Sequence, residues 1–350
     1  MNKKMLLGLI FFSTSIFSSE IDSFTIRKKV LDLPSSHLEL NRFFNKRLED
    51  ATILANSWSS GKECSKDYRD KAILKNLSGP AVPYLIGEYY SIKWVYGING
   101  YLETAVDKGE DPSSEFHFTS YRPEKKDSIY NDITLWESVP INKFIGSVTH
   151  YNGLIIGSDK FGHFISEGYE LYLEGGFKNL EKVLAYSELL ENGVLGLKTS
   201  GVYSYGDLSA NFMGMTFWEN LDSYITCHNN QWKINPEHPF KWDNYISPAW
   251  DEGFNPSKYY SKKMYHKIKS KIVNSKDRSL NNQLVKKNCF EAIKFFHKKF
   301  KDDSILIINS VISPVCLENY NQKNEFRWIS EEGSFPGEQT DFMGPSWWIL

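Results

Sequence analysis

Asp159, His163 and Glu167 recur at four-residue intervals and Glu170 follows three residues later, so on a helix the four side chains share one narrow stripe. A carboxylate and an imidazole one turn apart can bind a metal together or act as a general acid and base. The same stripe also fits an ordinary amphipathic helix with its acidic face in water, because Phe161, Phe164, Ile165, Gly168, Leu171 and Tyr172 lie opposite. Glu191 shares a face with Leu180, Val183, Leu184 and Ser187, where a carboxylate is costly unless it is paired or the helix end frays into solvent. Asp207, Asn211, Gly214 and Trp218 follow an i, i+4, i+7, i+11 pattern that puts a polar pair on the less polar face of another helix. Asp207 stands close behind Ser204, where capping is an alternative role, but capping leaves Asn211 unexplained.

Positioning these groups requires three helices between residues 157 and 224, divided by glycine-rich turns at 175–176 and 193–206. Gly206, Ala210 and Gly214 form a ridge of small residues that lets another backbone approach closely. Before this block, residues 20–78 read as a helical lead-in with Phe43, Phe44, Leu48 and Leu54 at helical spacing. Residues 79–100 are aromatic and broken by Pro and Gly, and residues 107–127 read as a charged surface loop. Beyond the block, residues 227–256 are loop-rich and end in Ser247-Pro248-Ala249-Trp250-Asp251-Glu252-Gly253. Two basic helices are predicted near 259–273 and 282–300, then a strand or short helix at 304–309, and a tail whose Trp347 and Trp348 are expected to pack on the protein. The predicted fold is mainly α with little β. Its regions are a signal peptide (1–18), the helical lead-in (19–78), a central helical domain holding the polar cluster (79–226) and a loop-rich, basic helical C-terminal region (227–350).

Export is read from the N-terminus. Lys3 and Lys4 precede the apolar run Leu6-Leu7-Gly8-Leu9-Ile10-Phe11-Phe12, and small residues follow from Ser13 to Ser19, with cleavage expected after Ser18. The apolar run falls well short of the roughly 20 residues of a membrane span. The first cysteine, Cys64, comes too late for lipid attachment. The expected location is therefore periplasmic or associated with the outer envelope. There Cys64, Cys227, Cys289 and Cys316 can form two disulfides, with three pairings open.

The net charge of −2 conceals residues 256–301, where fourteen Lys or Arg face only Asp277 and Glu291. Lys258, Lys262, Lys263, Lys267, Lys269 and Lys271 could dock an anionic membrane surface, an envelope polymer or an acidic partner, or could line two solvated helices. No nucleic-acid recognition motif is present, and export argues against that class.

The segments Ser158-Asp159-Lys160-Phe161-Gly162-His163-Phe164, then Glu191, then Gly206-Asp207-Leu208-Ser209-Ala210-Asn211-Phe212-Met213-Gly214 resemble the motif order of VanZ-like proteins and of YfiM-like envelope proteins. That order is D-K-x-x-H-F, an acidic residue, then D-x-x-x-N-x-x-G. It also resembles larger exported bacterial proteins without an assigned activity. The resemblance spans residues 157–226 and carries over to Asp159, Lys160, His163, Glu191, Asp207, Asn211 and Gly214, but not to Glu167 or Glu170. The chain departs from VanZ-like proteins in lacking their apolar spans, and from YfiM-like proteins in its length and its missing lipid-attachment cysteine. The resemblance implies an envelope role, since VanZ-like proteins are associated with glycopeptide tolerance, and implies no particular reaction.

Asp159, His163, Glu191, Asp207 and Asn211 are accordingly expected to converge as the candidate catalytic set of an envelope hydrolase or transferase acting on a lipid, glycan or phosphate group. In that reading His163 is the acid or base oriented by Asp159, Glu191 and Asp207 are a carboxylate pair or metal ligands, and Asn211 positions the substrate. The alternative is a non-catalytic envelope protein in which the cluster locks helix register and the basic helices dock. No cofactor is indicated by the sequence.

Overall fold

A computed structural model describes residues 20–321, apart from 60–62, 79–80, 87–90, 97–99, 135–136, 139–140, 142–144, 194–195 and 278; side chains are not described for 81–86, 91–96 and 319–321. The expected signal peptide at 1–18 and the Trp347-Trp348 tail lie outside the described residues.

The lead-in is helical, as its periodicity predicts: α1 (Arg27–Leu31), α2 (His37–Ser59) and α3 (Lys66–Leu77). Helix α2 buries Leu40, Phe43, Phe44, Leu48, Ala51 and Ala55 along one stripe. Ser65 caps α3 by accepting the Tyr68 N–H. An antiparallel hairpin of β1 (Ala81–Ile86) and β2 (Ser91–Tyr96) follows, then α4 (Tyr101–Lys108). The stretch read as a surface loop is only partly one, since α4 occupies its start and Asp111, Phe116 and Phe118 are buried within it.

A second hairpin, β3 (Val148–Tyr151) with β4 (Leu154–Gly157), turns through Asn152 and Gly153 at φ +48° and +85°. Both positions are left-handed, the geometry that makes Asn-Gly a two-residue hairpin turn. The hairpin runs directly into α5 (Asp159–Leu173), followed by α6 (Leu180–Asn192), the two-residue β5 (Val202–Tyr203) and α7 (Tyr205–Glu219). The three helices expected between 157 and 224 are therefore present.

After them come α8 (Leu221–Tyr224) and the hairpin β6 (Ile225–His228) with β7 (Gln231–Ile234), whose Asn229-Asn230 turn is again left-handed at φ +50° and +61°. Strand β8 (Lys258–Tyr259) pairs antiparallel with β5. The basic helices are α9 (Lys262–Asn274) and α10 (Asn282–Phe300), capped by Ser261 and Asn281. The apolar run at 304–309 lies in a helix, α11 (Ser304–Val311), and α12 (Pro314–Asn321) closes the described chain. The fold is mainly α, and its described strands form two-stranded antiparallel sheets. No described helix is long and apolar enough to cross a membrane.

One core draws Phe44 from the lead-in, Phe164 and Phe217 from the central helices, Phe240, Trp242 and Trp250 from the loop-rich stretch, and Phe296 from α10. The expected boundaries at 78 and 226 thus divide the sequence but not the core. Beneath α5 the rings meet edge to face, with Phe161 and Trp242 centroids 5.1 Å apart and Phe44 and Trp242 4.8 Å apart. Arg27 and Asp251 form a fully buried bidentate pair at 2.9 and 2.7 Å, and Asp251 also accepts the Ile155 and Gly253 N–H groups. This pair fastens the N-terminal segment to the loop that carries Glu252.

The cysteines pair as Cys64–Cys227 and Cys289–Cys316, one of the three arrangements the sequence leaves open. Two disulfides suit an oxidising compartment. The first joins residues 163 apart and ties the lead-in to β6, so it greatly restricts the unfolded chain. Replacing Cys64 and Cys227 together by Ser is expected to cost about 2–5 kcal/mol, read as a lower midpoint in urea denaturation. Reduction of the wild-type protein should shift the midpoint in the same direction.

Candidate functional site

Helices α5 and α7 approach closely at Gly168 and Gly214. A Cβ on Gly214 would lie 1.9 Å from the Phe164 carbonyl oxygen, and one on Gly168 would lie 2.6 Å from Gly214 Cα. The small-residue ridge of α7 therefore faces α5, as its spacing predicts. Trp218 Nε1 donates to the Ile165 carbonyl at 3.1 Å and fixes the rotation of the pair. That contact sets the first turn of α5, carrying Asp159, Lys160 and His163, against the first turns of α7, carrying Asp207 and Asn211.

The centre of the cluster is Lys160. Its ammonium lies 2.5 Å from Asp207 Oδ1, 2.8 Å from Glu252 Oε1 and 3.0 Å from Asp159 Oδ2, with all four side chains buried. Ser204, the residue that caps α7, accepts the Asp207 N–H through Oγ and donates that hydroxyl to Glu252 at 2.9 Å. Capping thus falls to Ser204, which frees the Asp207 carboxylate for Lys160 and His163. Glu191 does not reach solvent from the end of α6; it turns inward and accepts the Ser204 N–H at 2.8 Å.

His163 is 1% exposed and held by Asn211, whose Oδ1 lies 2.9 Å from Nδ1. Asn211 Nδ2 donates to Ser187 Oγ at 3.3 Å, and the amide oxygen faces the ring. Nδ1 is therefore the donor in this contact. Nε2 lies 3.4 Å from Asp207 Oδ2 and makes no hydrogen bond among the described residues. The expected partnership of His163 with Asp159 is replaced: Asp159 is engaged by Lys160, and Asn211 orients the imidazole. Asn211 is thus a partner of His163 and not a free group awaiting substrate.

The acidic stripe of α5 faces the interior. Glu167 and Glu170 are buried, and among the described residues the Glu167 carboxyl has no hydrogen-bond partner beyond its own backbone, with the nearer oxygen 3.8 Å from His163 Nδ1. Solvation of this helix face is therefore excluded: α7 packs along it, and Glu252 closes on its first turn.

The electrostatics follow from burial and crowding. Burial by itself would push the His163 imidazole down, but Asp207, Glu167, Glu191 and Asp159 outweigh it and carry the ring up to about 10. Burial raises Glu191 to about 8, with Asp207 adding to the effect and His163 opposing it. Burial likewise raises Glu167 to about 7 against the pull of His163. Asp207 resists its own burial, because His163 and Lys160 hold its carboxyl below the usual range. Burial pushes Glu20 well up, and Glu252 adds to that rise.

All five sequence-derived site residues, Asp159, His163, Glu191, Asp207 and Asn211, thus meet in one buried cluster. Lys160, Glu252, Ser204 and Ser187 complete it without having been singled out as site residues. Lys160 stands in the quoted motif, whereas Glu252 comes from a loop with no periodicity, and its only signal is an acidic pair beside Trp250.

The six lysines considered for docking sit mostly on partners within the chain. Lys267 and Lys263 reach Glu137 at 2.7 and 3.4 Å, and Lys271 reaches Asp132 at 3.0 Å. Lys258 lies over the rings of Tyr203 and Tyr205, and Lys269 lies over Tyr265.

Compared with protein-family models, with curated proteins and with solved structures, the chain matches none.

Proposed function

We propose that this is an exported cell-envelope protein whose Asp159–Lys160–His163–Glu191–Asp207–Asn211 cluster is a chemical centre that binds or transforms a charged group of an envelope lipid, glycan or phosphate compound. One observation carries the reading. A network that served only to lock helix register would be charge-balanced and fully hydrogen-bonded, since half-satisfied buried polar groups are destabilising. Here the carboxyl groups of Asp159, Glu167, Glu191, Asp207 and Glu252 crowd around one ammonium and one imidazole, and among the described residues His163 Nε2 has no hydrogen-bond partner and Glu167 has none beyond its own backbone. Buried groups in that condition are characteristic of sites kept for chemistry.

The resemblance of residues 157–226 to VanZ-like and YfiM-like proteins favours the envelope setting, and the two disulfides agree with an oxidising compartment. The burial of the cluster means that a reacting group enters only as part of a small headgroup or after the covering segments part. The intramolecular partners of Lys263, Lys267 and Lys271 weigh against electrostatic docking as the main role.

The test is complementation of a deletion strain by His163→Ala and Asp207→Asn, with folding of each exported variant checked by thermal melting. Loss of complementation with retained folding is the expected result. Folded variants that complement fully would remove the chemical centre from consideration.

A further inference from the structure

We infer that Asp159, His163 and Asp207 form a site for one divalent transition-metal cation of the zinc or manganese class. This inference rests on reading the cluster as a functional centre. Each of the three residues offers one ligand atom, and the three atoms lie within 4.8 Å of one another, all buried. In a tetrahedral zinc site ligands at about 2.0–2.2 Å stand about 3.3–3.6 Å apart, so the set reaches bonding distance by contracting by up to about an ångström around the ion.

The condition of His163 points to a cation independently of the carboxylates. Asn211 Nδ2 meets Ser187 Oγ while its amide oxygen faces Nδ1, and Nε2 is aimed at Asp207 Oδ2 from 3.4 Å with no hydrogen bond among the described residues. A ring whose far nitrogen donates to a fixed acceptor offers the other nitrogen's lone pair once an incoming cation displaces its proton, the arrangement by which proteins orient metal-binding histidines. Lys160 engages Asp159 Oδ2 and Asp207 Oδ1, and His163 faces Asp207 through its other oxygen, Oδ2. One imidazole with carboxylate oxygens suits zinc, manganese or iron, whereas calcium and magnesium sites are built from oxygen alone. With the cation bound, His163 serves as a ligand in place of an acid or base.

The experiment uses the whole exported protein, treated with chelator and then titrated calorimetrically with zinc or manganese chloride alone. Wild type is expected to take up one equivalent of at least one of the two. His163→Gln and Asp159→Asn should each weaken binding at least about 10–100-fold, and Asn211→Leu should weaken it about 10–100-fold although Asn211 makes no bond to the cation. Absence of stoichiometric uptake by wild type, or undiminished affinity in both ligand variants, overturns the inference. If the variants do not fold, X-ray absorption on zinc-loaded wild type decides: one imidazole among oxygen ligands supports the site, and a spectrum without imidazole overturns it. The complementation experiment reads the centre separately. No cation uptake together with a folded but inactive His163→Ala removes only the metal, and uptake together with full complementation removes only the functional centre.

Discussion

Lys160→Met should cost about 3–5 kcal/mol of stability, a large share of the roughly 5–15 kcal/mol of a folded protein, because it strands buried carboxylates without their cation. The side chain is 0% exposed, and its ammonium is within 3.0 Å of Asp159, Asp207 and Glu252. Methionine fills a similar volume, so the loss is electrostatic and not a cavity. Those carboxylates hold the Lys160 ammonium well above its ordinary range, although burial opposes them, which is the mark of a proton firmly retained. Adding Glu252→Gln to Lys160→Met should restore part of the stability, since one stranded charge is removed, and urea denaturation of the single and double variants measures the coupling. Equal stability of wild type and Lys160→Met would mean that the cluster is not organised around this lysine.

Gly214→Ala should be comparably damaging, at about 3 kcal/mol or more, with a matching drop in melting temperature. Overpacking a core ordinarily costs about 1–3 kcal/mol because side chains yield. At Gly214 the obstruction is the Phe164 backbone, whose oxygen would stand 1.9 Å from the added carbon, and backbone yields only if the helices separate. Separation would also part His163 on α5 from Asn211 and Asp207 on α7. The variant should therefore lose any cation affinity along with stability. A thermal melt within a degree or two of wild type would show that the helix contact is looser than this geometry requires.

Much of the site was legible in the sequence because helical periodicity is local. The spacing of Asp159 and His163, and of Asp207, Asn211 and Gly214, fixes which groups share a helix face whatever the rest of the chain does. The same holds for the small-residue ridge and for the two basic helices, whose apolar faces (Met264 and Ile268; Val285, Cys289, Ala292, Ile293 and Phe296) recur at helical intervals. Two of the hairpins, β3–β4 and β6–β7, were less visible because their strands are only four residues long. Their surest signals, Asn152-Gly153 and Asn229-Asn230, are turn residues that make sense only once the flanking segments pair.

Pattern alone left two questions open: whether the acidic face of α5 meets water, and what His163 touches. An acidic stripe reads as solvated because solvation is the cheapest fate for charge, and only the packing of α7 along that stripe, with Glu252 from the loop-rich stretch, reverses the expectation. Glu252 and Asp251 come from that loop, where no period marks them, and Arg27 reaches Asp251 across 224 positions of sequence. The sequence by itself determined the helices, their small-residue seam and the residues that could do chemistry, since each depends on neighbours within a few turns. Only the tertiary structure decided that Lys160 is the hub, that Asn211 holds His163 and that the cluster is closed to water. Those facts depend on contacts between distant segments, made where burial turns weak polar preferences into strong ones.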